Sequence, residues 1–223
     1  PKRASRSTGT LAYAQAATKK KFKLKGQQVE VVNDTLERMN SNEQVLMLLH
    51  GKWGTGKTRT INAIRYGLKL LGIDSRCTAS TGVAATNFKG GMTTHYCLGV
   101  FPTTIWPREK PTARQMAVVW KLAKALLMVG DEVSMYDSKL FALWNKILKL
   151  AFNNNKPFGG LSIILSGDFH QKSNPRGKSL AEVLYRHAMG QKLTGVEVHA
   201  AMLFAKFRKV ELTAGPWCRQ HPD

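Results

Sequence analysis

The chain has 223 residues, 43% of them hydrophobic, enough for one sizeable core in one domain or a domain with appendages. Lysine and arginine total 34 against 14 acids, a net charge of +20, which points to a polyanionic partner: nucleic acid first, an acidic membrane surface second. No apolar run approaches membrane-spanning length, no signal-peptide pattern is present, and Cys77, Cys97 and Cys218 carry no zinc-like spacing. Three scattered cysteines fit a reducing, intracellular setting with buried thiols. The first residue is Pro, not Met, so a fragment or trimmed chain is expected.

Residues 1–23 hold basic side chains and no acid, and are expected to form a disordered arm ahead of one domain over 24–223. Lys19 to Lys25 read equally as a phosphate-binding arm, a nuclear import signal or a solvated tail. A helix is predicted over 28–39, with Val31, Val32, Leu36 and Met39 on one face. Apolar residues 45–49 read as a buried parallel strand, and Ile61, Ile64, Leu68 and Leu71 follow at helical spacing. A second strand is expected over 75–79 and a short helix over 84–88, broken at Gly90 and Gly91. Three prolines make 101–113 a loop, and 116–122 is a possible helix. Strands over 126–129 and 161–165 flank a strongly amphipathic helix over 138–152. A helix over 180–185 and a fifth strand over 210–212 close the pattern. Helices alternating with short apolar strands predict an α/β fold, a parallel sheet with helices on both faces.

The segment from Gly51 to Thr58 fits G-x-x-x-x-G-K-[ST], the P-loop signature. Glycines let successive N–H groups point inward as an anion nest at a helix N-terminus. Gly51, Trp53, Gly54, Thr55 and Gly56 would form the cradle, Lys57 would reach the β- and γ-phosphates, and Thr58 would hold Mg²⁺. The strand–loop–helix context is what separates this reading from a Gly-rich turn that binds nothing. The strand over 126–129 runs into Asp131-Glu132. Asp131 would hold Mg²⁺ through its water shell, and Glu132 would polarise an attacking water. Most such acidic pairs are solvated turns; a P-loop some seventy residues upstream makes this one informative. Gln171, in Gly167-Asp168-Phe169-His170-Gln171, can sense a γ-phosphate, since its amide both donates and accepts; the competing reading is a tight turn.

Together these segments resemble the Pif-type and RecD-like DNA helicases of superfamily one. The likeness is carried by the P-loop, by Thr78 to Ala85, by Gly90-Gly91-Met92-Thr93-Thr94-His95 with Gly99, by Asp131 to Met135, and by Phe158-Gly159-Gly160 leading to Gln171. Their order and spacing cover about 24–213. The resemblance implies a RecA-like P-loop NTPase fold, with ATP and Mg²⁺ as cofactors. It makes Gln28 the adenine reader, with Gln27 as rival, and Lys57, Glu132 and Gln171 the catalytic set. It assigns single-stranded DNA to Thr81, Gly82, Thr93, Thr94 and His95. Hydroxyls and N–H groups at helix starts suit that role, because they bind phosphates without reading bases.

The chain departs from the family at Gly130, where the family carries an apolar β-branched residue, a change expected to loosen the strand end. Lys172-Ser173-Asn174-Pro175 replaces the usual Leu-Pro-Pro. Arg219 falls six residues past Thr213, too late for the family's γ-phosphate position. The second RecA-like domain and its arginine finger, which commonly contributes about 10³–10⁵ in kcat, are not in this sequence. The expected activity is therefore that of a helicase's first motor domain: a monomer binding MgATP and single-stranded DNA or DNA junctions, slow in hydrolysis alone. Two alternatives stand beside it: a non-catalytic nucleic-acid-binding module with a vestigial P-loop, and another P-loop DNA motor. An intracellular location is expected, the nucleus being one option.

Overall fold

The structure is a computed structural model that describes residues 8–100, 113, 116–117, 125–168 and 179–213. Six parallel strands form one sheet: β1 (Leu46–His50), β2 (Asp74–Ala79), β3 (Met92–Thr93), β4 (Ala125–Asp131), β5 (Ser162–Gly167) and β6 (Arg208–Glu211). Their spatial order is β3-β2-β4-β5-β1-β6. The described helices are α1 (Thr8–Phe22), α2 (Gln27–Asn40), α3 (Lys57–Leu70), α4 (Gly82–Ala85), α5 (Thr94–Leu98), α6 (Ser138–Phe152), α7 (Leu180–Ala188) and α8 (Gly195–Phe204).

The strands alternate their side chains between two cores. Met47 and Leu49 of β1, Leu127 and Val129 of β4 and Ile164 of β5 pack with Val32, Leu36, Ile61, Ile64 and Leu68 of α2 and α3. Leu48, Met128, Ile163 and Leu165 point the other way, onto Phe141, Trp144, Ile147, Leu203 and Phe204 of α6 and α8. Period-two alternation buried on both faces gives the continuous apolar runs seen in the sequence. Each fully buried large side chain contributes about 1.5–3 kcal/mol. The second core is aromatic: Phe158 lies edge-on to Phe141, Trp144 and Phe207 at 5.6, 5.4 and 5.8 Å.

Helix α6 spans the predicted residues. The Asp137 carboxylate accepts from Lys139 N at its start, and Asn153 takes the left-handed conformation at its end. Four elements differ from expectation. Residues 8–22 of the supposed disordered arm form α1, which is alanine-rich and lacks an apolar stripe. At its closest approach it docks through small side chains: Ala14 and Thr18 are fully buried, and a Cβ on Gly67 of α3 would lie 3.0 Å from Thr18 Oγ1, while Leu11 and Phe22 pack at the margin. Its end is tied down as Lys21 Nζ sits 3.9 Å over the Tyr66 ring and Arg59 Nε donates to Phe22 O at 2.9 Å. Strand β3 has two residues, too few for a pattern, and helix α5 follows it directly. Helix α8 is apolar on most sides, so periodicity does not reveal it. Its start was written in a capping box: Thr194 N donates to Glu197 Oε2 and Glu197 N to Thr194 Oγ1.

Strand β4 is not loosened at Gly130. It runs unbroken to Asp131, pairing Gly130 with both Thr78 and Leu165. A Cβ there would lie 3.1 Å from the Tyr136 hydroxyl and 3.2 Å from Trp144, so the missing side chain makes room for these rings. Cys77 and Cys97 are buried and unpaired, each thiol pushed up to about 12 by burial. The expectations for the loop over 101–113, the helix over 116–122, Gln171, Cys218 and Arg219 fall outside the described residues, wholly or largely.

Candidate nucleotide and single-strand site

All six strands point the same way, so their carboxyl ends gather the site. The P-loop leaves β1 at His50 and enters α3 at Lys57. A cleft of about 500 Å³ is lined by Gln28, Trp53, Gly54, Thr55, Gly56, Lys57, Thr58 and Arg59. Gly56 is left-handed at φ 88°, which lets the backbone turn into α3 with its first N–H groups facing the cleft. Thr55 is buried and its hydroxyl donates to Lys52 O at 2.9 Å, closing the loop on itself. Thr58 and Trp53 are exposed at the mouth. Lys57 Nζ donates to Gly51 O at 2.6 Å and to Lys52 O at 3.0 Å. Burial holds the Lys57 ammonium below the usual lysine range, against the pull of Asp168 and then Asp131.

The two glutamines separate cleanly. Gln28 is buried, lines the cleft and donates weakly to Thr55 O at 3.5 Å. Gln27 turns to β6, donating to Glu211 O at 2.5 Å and accepting from Thr213 N at 3.3 Å. Its amide fastens the sheet edge.

Asp131 and Glu132 end β4, with β5 between them and β1. Asp131 is 8% exposed. Desolvation raises its carboxyl, while the Ser166 hydroxyl, the Glu132 backbone N–H and the Lys57 ammonium pull it back. Glu132 is left-handed at φ 53°, and its Oε2 accepts from Ser80 Oγ at 3.3 Å. Ser80 thus joins the end of β2 to the carboxylate pair, a role the motif spacing alone did not expose. Asp168 is the other site residue missed. It read as a turn, yet β5 lies beside β1 with Gly167 opposite His50, which places Asp168 nearest Lys57 in electrostatic effect.

Magnesium suits this donor set. Mg²⁺ takes one or two carboxylates, keeps several waters and completes its shell with phosphate oxygens. Asp131 offers a carboxylate and Thr58 a hydroxyl. The buried Ser166 hydroxyl faces the Asp131 carboxylate and helps to keep it ionised, as a metal ligand must be.

The segments assigned to DNA behave unequally. Thr81 caps α4, accepting from Ala84 N at 3.2 Å, and Thr93 caps α5, accepting from Tyr96 N at 3.2 Å. Thr81 and Gly82 are exposed, and His95 is half-buried. Thr94 is corrected. It is fully buried, its Oγ1 lies 2.7 Å from the Tyr136 hydroxyl and 3.3 Å from Ala79 O, and it has no surface to offer a strand.

A parallel sheet, a P-loop into α3 and an acidic pair two strands away define a P-loop NTPase of RecA-like architecture. The PIF1-like helicase family model matches residues 23–183, most of the chain, and the chain belongs to that family. The ATP-dependent DNA helicase Pif1 of Psychrobacter sp. is 34% identical over 127 residues, which cover 56% of this chain and 19% of that protein. The chain therefore spans about a fifth of that relative's length. Unliganded Pif1 from Bacteroides sp shares the fold at a TM-score of 0.62 and 23% identity, covering 90% of this chain and 43% of that one. The Bacteroides Pif1 helicase in complex with ADP-AlF3 and ssDNA aligns at a TM-score of 0.58 and 26% identity, over 81% of this chain and 41% of that one.

Proposed function

We propose that the chain is the first motor domain of an ATP-dependent DNA helicase, binding MgATP at the P-loop and single-stranded DNA across the carboxyl ends of β2 and β3. The observation that carries this reading is the convergence of Lys57, Asp131 and Asp168 at one end of the sheet, beside the P-loop cleft. Lys57 neutralises the β- and γ-phosphates, and Thr58 and Asp131 hold Mg²⁺. Glu132, held by Ser80, takes the proton of the attacking water. Magnesium supplies charge neutralisation across the phosphates. Gln28 reads the adenine edge. The +20 charge supplies phosphate contacts, and the resulting DNA affinity falls as salt rises.

Calorimetry with a non-hydrolysable MgATP analogue tests the reading, with and without an oligothymidine strand. Wild-type binding is expected, and Lys57→Ala is expected to weaken it about 10–150-fold, the value of a charge-assisted phosphate contact. Wild-type protein that is folded yet binds no nucleotide would favour the vestigial P-loop instead.

A further inference from the structure

Three hydroxyl-bearing residues, Tyr136, Thr94 and Thr78, meet behind the carboxylate pair, and none of them touches the nucleotide cleft. Tyr136 follows Glu132 by four residues and is 1% exposed. Its hydroxyl lies 2.7 Å from Thr94 Oγ1, whose own proton goes to Ala79 O at 3.3 Å. Either hydroxyl can donate across the 2.7 Å contact, and with the Thr94 proton on Ala79 O the Tyr136 O–H is the donor. Thr78, the other hydroxyl facing Tyr136, donates to Val129 O at 3.0 Å. The chain Tyr136 to Thr94 to Ala79 crosses three strand ends, because Ala79 pairs with Asp131 of β4 on one side and Thr93 of β3 on the other.

The surroundings hold the ring in place. Gly130 leaves the space that the hydroxyl fills, and Trp144 packs at 6.3 Å between ring centroids. The Tyr136 backbone is fixed as well: its N–H donates to Val133 O at 3.1 Å, and Leu180 N donates to its carbonyl at 2.6 Å. On the outer side, Thr94 is the first residue of α5, which carries His95 and the exposed Tyr96. A shift of the Asp131–Glu132 turn cannot leave α5 unmoved without breaking a buried hydrogen bond. A buried donor or acceptor left unpaired is costly, so this bond links the two segments.

We propose that Tyr136 is a positioning residue that couples the nucleotide carboxylates to α5, so that nucleotide occupancy alters the grip on single-stranded DNA. The proposal rests on the reading of the chain as a helicase motor domain. Tyr136→Phe removes the hydroxyl and keeps the ring; Thr94→Val removes the partner. The measurement is the dissociation constant of a fluorescent oligothymidine strand, with and without a saturating non-hydrolysable MgATP analogue, together with the thermal midpoint of each variant. Wild type is expected to show a nucleotide-dependent change of about fivefold or more, within the usual range of coupling. Tyr136→Phe should bring that ratio within about twofold of unity while still binding the analogue. Thr94→Val should do the same, and the double variant should go no further in that ratio, since both break the Tyr136–Thr94 bond; Thr94→Val also loses the contact with Ala79 O, which its thermal midpoint reports. A ratio unchanged in Tyr136→Phe overturns the proposal, as does a wild-type ratio of one. A uniform weakening of both constants in step with a lowered thermal midpoint also overturns it, because a structural role alone does that. Wild type that binds no analogue defeats the helicase reading itself, an outcome distinct from the others.

Discussion

The Gln28 amide fills the space beside Gly56 that a side chain would take. A Cβ on Gly56 would fall 2.5 Å from Gln28 Nε2, so the loop glycine and the buried amide form one fitted pair. The P-loop pattern explains a glycine at position 56 by backbone conformation, and at φ 88° that explanation holds. The structure adds a close neighbour, the Gln28 amide of helix α2.

Gly56→Ala therefore carries two penalties, left-handed strain and displacement of Gln28. The expected loss of stability is about 1–3 kcal/mol from the strain, or about 2–12 °C in the thermal midpoint for a chain of this size. Nucleotide affinity should fall as well, because the Gln28 amide must leave its position. A variant melting with the wild type and binding nucleotide equally would remove the fitted-pair account.

The neighbouring glutamines give a contrast in readouts. Gln28→Ala should weaken binding of an adenine nucleotide about 5–10-fold, a single hydrogen bond's worth, and narrow the preference for ATP over GTP. Gln27→Ala should leave nucleotide affinity alone and lower the thermal midpoint, since it frees the backbone of Glu211 and Thr213. The two effects exchanged would reverse the assignment.

Helix α1 makes a sharper test of what belongs to the domain. Ala14 is fully buried in the core shared with α2 and α3. Ala14→Asp places an unpaired carboxylate there and should cost roughly 3–5 kcal/mol, lowering the thermal midpoint by about 6–20 °C. A detached arm would show no change in a differential scanning trace.

Much of this molecule was legible in its sequence, for a physical reason. Helix α6 and strands β1, β4 and β5 are long enough, and buried enough, to show their periods. The P-loop glycines carry a backbone constraint that spacing records directly. Other features lack such a record. Helix α1 buries alanine and threonine fully and Leu11 and Phe22 only in part, which leaves no clear apolar stripe. Thr94 looks like its neighbours Thr81 and Thr93, yet one step along the chain at a helix start turns it from surface to interior. Asp168 and Ser80 acquire their places only from strand order, since β5 stands between β1 and β4 and β2 flanks β4 on the other side. Gly130 reads as a defect until Tyr136 is seen occupying the space a side chain would take.

His95 titrates below its ordinary range. Desolvation lowers it, and Asp137 only partly restores it. As pH falls, the unfolded chain takes up its proton first, near the usual value of 6.5, and the folded chain later. The His95 contribution to stability is thus complete above about pH 6.5 and is lost as pH falls through the folded value. Against His95→Gln, which does not titrate, wild type should lose stability on acidification from pH 7 to 5, seen in urea melts across that range. The same direction of shift favours neutral His95 above its ordinary range, so on the proposed reading its contact with a strand would be a hydrogen bond or stacking rather than a charge. His95→Gln should then lower oligothymidine affinity without altering the slope of log affinity against log salt. A slope reduced by about 0.7, the value of one phosphate neutralised on a single strand, would show a charged histidine and overturn the prediction.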